Sequence, residues 1–278
     1  MNIALVSDYS ITDYLSYGFE NNWSTPKGIF TELLKSEKVT NVKWYPFPEE
    51  KDNYPFIELQ REINRNIFLP DILFYMSCGP RKDNMFSKKY FPNTKLVVDM
   101  GDEPQTRGFN INRARHADLI LTPDYECFKK YESEGYNAIH TGHWADMEVY
   151  YPDNSKEKIH SVVSSMKGNR KGVDKYLEKK LKNKFVNKIN LSAEENADLY
   201  RSSKIVFQKS RYNEITRRIF EGMATRRLVV ADRLPYEKKL NYFFEDGKDI
   251  VLYECKREAF QKIKNYLKND DERERIAS

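Results

Sequence analysis

Short apolar runs alternate with amphipathic segments along this chain of 278 residues, and the alternation constrains its fold more than any other feature. Runs rich in β-branched residues and bounded by turn residues are typical of strands buried on both faces of a parallel sheet. The segments between them have the length and period of helices, which connect parallel strands. The sequence therefore predicts an α/β fold of doubly wound parallel sheets. Predicted strands of the first half include NIALVSD, DILFYMSCG, TKLVVDMGD and DLILTPD.

The alternation is interrupted around residues 147–155, where EVYYPDNS has no periodicity and contains Pro152. It then resumes, with further strands predicted at NKINLS, KIVFQKS, RLVVAD and DIVLYE. A chain of this length is long enough for two domains with separate cores. We therefore predict an N-terminal domain over residues 1–150 and a C-terminal domain over residues 151–278.

The charge balance and the cysteines exclude few classes of function. Basic side chains outnumber acidic ones by 47 to 42, and the net charge of +5 is spread along the chain. Such an excess fits a nucleotide diphosphate, a nucleic acid, an anionic membrane surface or a plain solvated surface. Cys78, Cys127 and Cys255 form no CxxC pair, which favours reduced thiols. No apolar run reaches the ~18 residues of a membrane span, so we expect a cytoplasmic protein without a transmembrane segment.

The segment NEITRRIFEGMATRRLVVAD holds the most informative polar pattern. A helix is predicted to begin near Ile215, with Thr216 in its first turn. Arg218 and Glu221 are three residues apart and therefore share one face of this helix. A helix N-terminus and a guanidinium can bind a diphosphate, and a carboxylate can accept hydrogen bonds from a ribose diol. The same spacing also suits an exposed Arg–Glu ion pair without a function.

A second polar segment, SSMKGNRKG, lies between a predicted strand and a predicted helix. Ser164, Ser165 and Gly168 are small and permit a ligand to approach the backbone. Lys167 and Arg170 add positive charge beside them. The GxxxxGK[ST] spacing of a Walker A phosphate loop is absent. The segment is either an anion-binding loop or a solvated basic loop.

Three segments follow one another here: the helix motif, the EDGKD turn and the strand IVLYE. Their order and spacing resemble the C-terminal lobe of GT-B glycosyltransferases, and above all that of the CgeB-like proteins. The resemblance covers roughly residues 193–277. It implies two doubly wound Rossmann-like lobes facing a central cleft, the N-terminal one on the acceptor side and the C-terminal one binding a nucleotide sugar. It also implies the transfer of a hexose from a nucleotide sugar to an acceptor hydroxyl. By analogy with the family, the donor is a UDP-sugar.

The same resemblance implies roles for individual residues. Arg218 matches the family arginine that contacts the diphosphate, and Glu221 matches the glutamate that binds the ribose. Lys167 and Arg170 match basic residues that neutralise the leaving diphosphate, and Thr216 lines the first turn of the same helix.

Two further candidates for donor binding are Glu214 and His143. Glu214 precedes Glu221 by seven positions, one fewer than in the Glu-x7-Glu motif of many retaining members of the fold. His143, in HTGHWAD, corresponds to a loop that faces the donor and would contact the sugar or its phosphate. A structural histidine near the domain boundary is the alternative.

Glycosyl transfer with inversion also requires a base that deprotonates the acceptor hydroxyl. VVDMGDEP places Asp99, Asp102 and Glu103 at the end of a predicted buried strand. A more distant resemblance to the DNA β-glucosyltransferases of T-even phages, whose base is an aspartate after the corresponding strand, implies Asp99 as the base and Asp102 as the second candidate. Capping of the following turn is the alternative role for these acidic residues.

The predicted partner is a nucleotide sugar, which serves as the donor substrate. No cofactor is expected. GT-B enzymes generally need no essential cation, and the chain has no Asp-x-Asp motif, so the resemblance implies a metal-independent enzyme. The acceptor is a glycan if the CgeB-like resemblance governs, and a hydroxymethylated DNA base if the phage resemblance does. Two alternatives stay open, a nucleotide-sugar epimerase and a non-catalytic nucleotide-sugar-binding subunit. The sequence leaves the oligomeric state open.

Overall fold

The computed structural model describes residues 1–7, 25–46, 59, 61–77, 92–167 and 172–278. The chain forms two compact units. Of the described residues, residues 1–7 and those from Pro26 to Gly142 belong to the first unit, and Thr25 and His143–Ser278 belong to the second. The division falls earlier than the boundary predicted after residue 150. The reason is that Val149 and Tyr150 are buried in a hydrophobic cluster of the second unit, together with Ile219 of a later helix.

In the described part of the first unit, six parallel strands form one sheet in the order β2-β1-β3-β4-β5-β6. Three helices lie between them, and residues 61–64 are also helical. The strands are β1 (Asn2–Ser7), β2 (Asn41–Pro46), β3 (Ile72–Ser77), β4 (Lys95–Met100), β5 (Leu119–Thr122) and β6 (Ala138–His140). The helices are α1 (Thr25–Lys35), α2 (Arg107–Ala114) and α3 (Tyr125–Ser133).

In the described part of the second unit, five parallel strands form a sheet in the order β11-β10-β9-β7-β8. The strands are β7 (His160–Ser164), β8 (Phe185–Asn187), β9 (Ser203–Gln208), β10 (Leu228–Asp232) and β11 (Val251–Tyr253). The helices are α4 (Val173–Leu181), α5 (Ala193–Arg201), α6 (Arg217–Ala224), α7 (Lys256–Tyr266) and α8 (Asp270–Ala277). Short 3-10 turns occupy Lys182–Lys184, Tyr236–Lys238 and Leu240–Tyr242.

The central strands are buried on both faces, as their sequences predict. All five residues of β10 are buried, since neighbouring side chains along a strand point to opposite faces and both faces carry hydrophobic clusters. The strand predicted at NKINLS is wrong in position, because the described strand β8 ends at Asn187 and pairs with β7. Within the described ranges, no helix combines the length and the apolarity that crossing a membrane requires.

Candidate functional site

The candidate site of the second unit lies where β7, β9 and β10 end and α6 begins. Gly222 allows α6 to pack close to the sheet, because a Cβ atom at this position would lie 2.9 Å from Val229 Cγ2 and 3.2 Å from Val206 Cγ1. Ile219, Glu221 and Gly222 are the buried residues of this helix. A charged carboxylate is thereby placed inside the unit, where it requires specific partners.

The N-terminus of α6 has polar groups suited to an anion. Thr216 is the N-cap residue but makes no side-chain cap hydrogen bond, and its buried Oγ1 has no hydrogen-bond partner. The buried Nε of Arg218 also lacks a partner. Backbone N–H groups and the helix dipole give a helix N-terminus a partial positive charge. Thr216 and Arg218, both predicted donor-binding residues, therefore lie together at a potential phosphate site.

Glu221 is bound through only one of its two carboxylate oxygens. Arg217 Nε donates to Glu221 Oε1 over 2.7 Å, whereas Oε2 is buried and has no hydrogen-bond partner. The alternative of an exposed ion pair between Arg218 and Glu221 is therefore wrong. The partner of Glu221 is Arg217, one helical turn away, and the pair is largely buried. Oε2 can accept a hydrogen bond from a ligand hydroxyl.

Two buried tyrosines from elsewhere in the second unit, Tyr200 and Tyr150, lie close enough to Glu221 for its charge to affect their pKa values. The hydroxyls of Tyr200 and Ser165 are 2.7 Å apart. Burial and the charge of Glu221 raise the pKa of Tyr200 to about 12, and the charge of Arg218 opposes the rise. Burial and Glu221 also raise the pKa of Tyr150, whose hydroxyl accepts a hydrogen bond from Asn196. The sequence analysis missed both tyrosines, because they are distant from α6 in sequence and follow no local motif.

His143 lies beside the first half of α6. Its ring packs edge to face against that of Phe220, with the ring centroids 6.2 Å apart. Burial and then the positive charge of Arg217 lower its pKa to about 4, although a hydrogen bond with the Ile215 backbone opposes the shift. The imidazole is consequently neutral near pH 7. The structure brings His143 to the predicted site, and its contact with a sugar or phosphate stays a prediction.

The other predicted donor-binding residues differ in their surroundings. Lys167 is exposed just after β7, and the nearby Ser164 Oγ is buried without a hydrogen-bond partner. Arg170 lies outside the described residues. Glu214 accepts hydrogen bonds from the backbone N–H groups of Arg211, at 3.0 Å, and of Tyr212. Its carboxylate therefore stabilises the loop that leads into α6.

A buried ion pair joins the carboxyl ends of β9 and β10. Lys209 Nζ lies 2.6 Å from Asp232 Oδ2, and Ser210 donates to the same carboxylate from its backbone N–H and its hydroxyl. Because Lys209 and Asp232 are far apart in sequence, no local spacing indicated the pair. It holds together the two loops that border the start of α6.

Asp99, the predicted base, lies in β4 of the first unit, one residue before the end of the strand. Its side chain is half-buried. Burial, with a smaller effect from the Glu103 carboxylate, raises the pKa of Asp99 from 3.8 to about 7. A carboxyl group with this pKa exchanges its proton near neutral pH, as a general base must.

Asp102 and Glu103 have different surroundings despite being adjacent. Asp102 is exposed, has a left-handed backbone with φ of 55°, and accepts a hydrogen bond through its carbonyl from Thr106 N. Glu103 is buried and accepts hydrogen bonds from Asn110, Tyr131 and Thr122. Burial raises the pKa of Glu103, and these donors oppose the rise. Glu103 thus links β5, α2 and α3, a structural role.

Comparison with known proteins adds a domain match. Residues 156–278 match a family model described as glycosyl transferase-like. No curated protein matches the chain. The matched range lies within the second unit and includes α6 with Thr216, Arg218 and Glu221.

Several solved structures are similar over the whole chain. Anabaena HepE in complex with UDP-glucose has a TM-score of 0.59 and 15% identity, covering 100% of this chain and 93% of its own. An α-glucosyltransferase in complex with UDP and a 13-mer DNA containing an HMU base has a TM-score of 0.64 and 12% identity, covering 100% and 93%. A putative UDP-N-acetylglucosamine 2-epimerase from Listeria monocytogenes has a TM-score of 0.61 and 12% identity, covering 100% and 90%.

The two parallel sheets and these structural similarities define the fold class. The chain has the α/β GT-B fold with two Rossmann-like units, which confirms the predicted fold. Within its second unit, residues 156–278 match the glycosyl transferase-like family model. The closer likeness to CgeB-like proteins and to the T-even phage enzymes stays a prediction.

Proposed function

We propose that the protein is a glycosyltransferase that transfers a hexose from a UDP-sugar to an acceptor hydroxyl. One observation carries the proposal. Within the domain that matches the glycosyl transferase-like model, the N-terminus of α6 has an uncapped first turn, and Glu221 Oε2 and Arg218 Nε are buried without partners. Buried polar atoms without partners are costly, and a bound nucleotide would satisfy them.

The donor's diphosphate binds at the N-terminus of α6 in this proposal. The helix dipole, Arg218, Lys167 and Arg170 provide positive charge for it. Glu221 accepts hydrogen bonds from the ribose hydroxyls through Oε2. His143 and Glu214 are weaker candidates for donor binding. The imidazole of His143 is neutral and the carboxylate of Glu214 is bonded to backbone N–H groups, so neither adds positive charge for the diphosphate.

Asp99 is the proposed base, with Asp102 as the weaker candidate because of its exposure. Asp99 accepts the proton of the acceptor hydroxyl while the acceptor oxygen bonds to the anomeric carbon. The bond between that carbon and the diphosphate oxygen breaks, and the electron pair leaves with UDP. Basic side chains and the helix dipole offset the charge that develops on UDP, so we propose a reaction without metal or cofactor. Activity that survives EDTA would support this point.

The acceptor is a hydroxymethylated DNA base or a glycan. A similar structure holds DNA with an HMU base, which makes duplexes with hydroxymethylated bases the first acceptors to test. Surface glycans are the second set. If the enzyme hydrolyses the donor but transfers sugar to neither set, both acceptor assignments are wrong. The proposed donor site would not be affected by that result.

The donor site is tested first by binding. A thermal-shift panel of UDP-, GDP- and TDP-sugars should show stabilisation by UDP-sugars, by roughly 2.7 kcal/mol at a ligand concentration of about 100 times Kd. Arg218→Gln and Glu221→Gln should each weaken UDP binding about 10- to 100-fold, because each removes a charge-assisted hydrogen bond. Arg257→Gln, on the exposed side of α7, is the control and should bind like the wild type.

Product analysis then separates the three possible functions. A transferase releases UDP and labels the acceptor. An epimerase converts the UDP-sugar without an acceptor and releases no UDP. A binding subunit gives neither product. If no nucleotide sugar shifts the melting temperature, the proposed function is wrong.

A further inference from the structure

Arg217, which the sequence analysis did not single out, contacts the proposed ribose ligand Glu221. Its Nε lies 2.7 Å from Glu221 Oε1, and the two side chains are 22% and 1% exposed. The bond occupies one carboxylate oxygen and leaves the other, also buried, without a partner. The contact therefore selects which oxygen of Glu221 can meet a ligand.

We propose that Arg217 is a positioning residue that orients Glu221 so that Oε2 binds a ribose hydroxyl. This inference rests on the proposed function. A buried carboxylate needs hydrogen-bond donors to offset its lost hydration, and for Glu221 the charged guanidinium of Arg217 is that donor. The Nε bond holds the carboxylate in one orientation before any ligand arrives, so less conformational freedom is lost when the ribose binds.

The two adjacent arginines of α6 have separate tasks. Arg217 bonds to Glu221, whereas the buried Nε of Arg218 has no partner. Consecutive helical residues point in different directions, about 100° apart around the axis. The charge of Arg217 also reaches His143 and lowers its pKa. Arg217 thus acts on neighbouring protein groups, and Arg218 remains available to the diphosphate.

The test measures recognition of ribose separately from recognition of diphosphate. Calorimetry gives Kd values for UDP, 2′,3′-dideoxy-UDP and UMP with the wild type, Arg217→Gln, Arg217→Lys and Glu221→Gln. The wild type should bind UDP about 10- to 100-fold more tightly than dideoxy-UDP, because the site holds a carboxylate for the hydroxyls. Glu221→Gln and Arg217→Gln should both bring this ratio close to one. Both should keep the wild-type ratio of UMP to UDP affinities.

Arg217→Lys addresses the geometry of the contact. Lysine keeps the charge but lacks Nε and its fixed direction. The ribose ratio is the affinity for UDP divided by the affinity for dideoxy-UDP. A reduced ribose ratio in Arg217→Lys supports orientation as the cause. Arg217→Lys also replaces Arg217→Gln if the latter melts below the assay temperature. Arg257→Gln is again the matched control and should keep every ratio.

Three outcomes would contradict the inference in distinguishable ways. An unchanged ribose ratio in both Arg217 variants, with a collapsed ratio in Glu221→Gln, overturns the role of Arg217 alone. Equal weakening of all three ligands by Arg217→Gln shows a general structural or electrostatic role and also overturns it. An unchanged ratio in Glu221→Gln, or no UDP binding by the wild type, removes the ribose site itself and the inference with it.

Discussion

Asp99 and Glu103 are nearby carboxyl groups of the first unit, and their surroundings give them different chemistry. Glu103 accepts hydrogen bonds from three side chains that connect helices and strands. Asp99 is the group whose burial raises its pKa to about 7. Satisfied hydrogen bonds indicate a structural carboxylate, whereas a pKa near the working pH suits proton transfer. Asp99 is accordingly the residue on which the proposed chemistry depends.

The pH dependence of Asp99 follows from that shift. As a base, Asp99 must be ionised, so kcat/KM should rise with pH and level off above about 7. Asp99→Asn should lower turnover about 100- to 10,000-fold, the usual contribution of a general base, and should leave UDP binding unchanged. A pH series of initial rates checks this, with Asp102→Asn as the comparison. A rising limb that persists in Asp99→Asn would assign the base to another group.

The raised pKa of Asp99 also predicts how stability changes with pH. Stability should fall as the pH rises, whereas activity should increase. Folding favours protonated Asp99, since its pKa is 3.8 ordinarily and about 7 in the folded chain. Its contribution to stability is therefore complete below pH 3.8 and is lost as the pH rises toward 7. Asp99→Asn should lose less stability than the wild type between these pH values. Urea unfolding at pH 4.5 and 7.5 gives the free energy of unfolding of both proteins. An equal change between the two pH values in wild type and variant would refute the prediction.

At the scale of elements, α6 depends on its close approach to β9 and β10. Only a residue without a Cβ avoids the 2.9 Å contact with Val229 at position 222. Glu221, next to this glycine, is buried, and Thr216 and Arg218 belong to the N-terminal turn of the same helix. The packing of one glycine thus determines where the polar groups of the candidate site lie.

Gly222→Val should lower the free energy of unfolding by about 1–3 kcal/mol, because the added side chain overpacks the contact between helix and sheet. It should also weaken UDP binding, since α6 must move. Gly108→Val is the matched control, because Gly108 is also helical but a Cβ atom added there would have no atom within 4 Å outside its chain neighbours and the backbone of its own helix. Thermal and urea unfolding give the comparison. Equal destabilisation by the two variants would show that α6 does not depend on this contact.

At the scale of the molecule, the two units have separate hydrophobic cores. Among the described residues, the first unit has a buried cluster around Val98. The second has clusters around Val206 and Val230, on the two faces of its sheet. The polar groups proposed to bind the donor lie in the second unit, whereas Asp99 lies in the first. Donor binding and proton transfer are therefore assigned to different units.

The second unit should fold and bind UDP by itself. A fragment of residues 143–278 should unfold cooperatively in urea and retain UDP binding within about tenfold of the whole chain, because a buried core is the main requirement for independent folding. It should show no glycosyl transfer, because it lacks Asp99. Circular dichroism and calorimetry provide the measurements. A fragment that melts without a cooperative transition would show that this core needs the first unit.

The sequence by itself determined the parallel sheets and the placement of Arg218 and Glu221 on one helix. Both follow from local periodicity, since apolar runs define buried strands and residues three apart share a helix face. Only the tertiary structure decided that Arg217 bonds to Glu221, that Tyr200 and Ser165 lie near it, and that burial raises the pKa of Asp99. These properties depend on how far each side chain is buried and on which distant elements pack around it, and no local pattern in the chain encodes either.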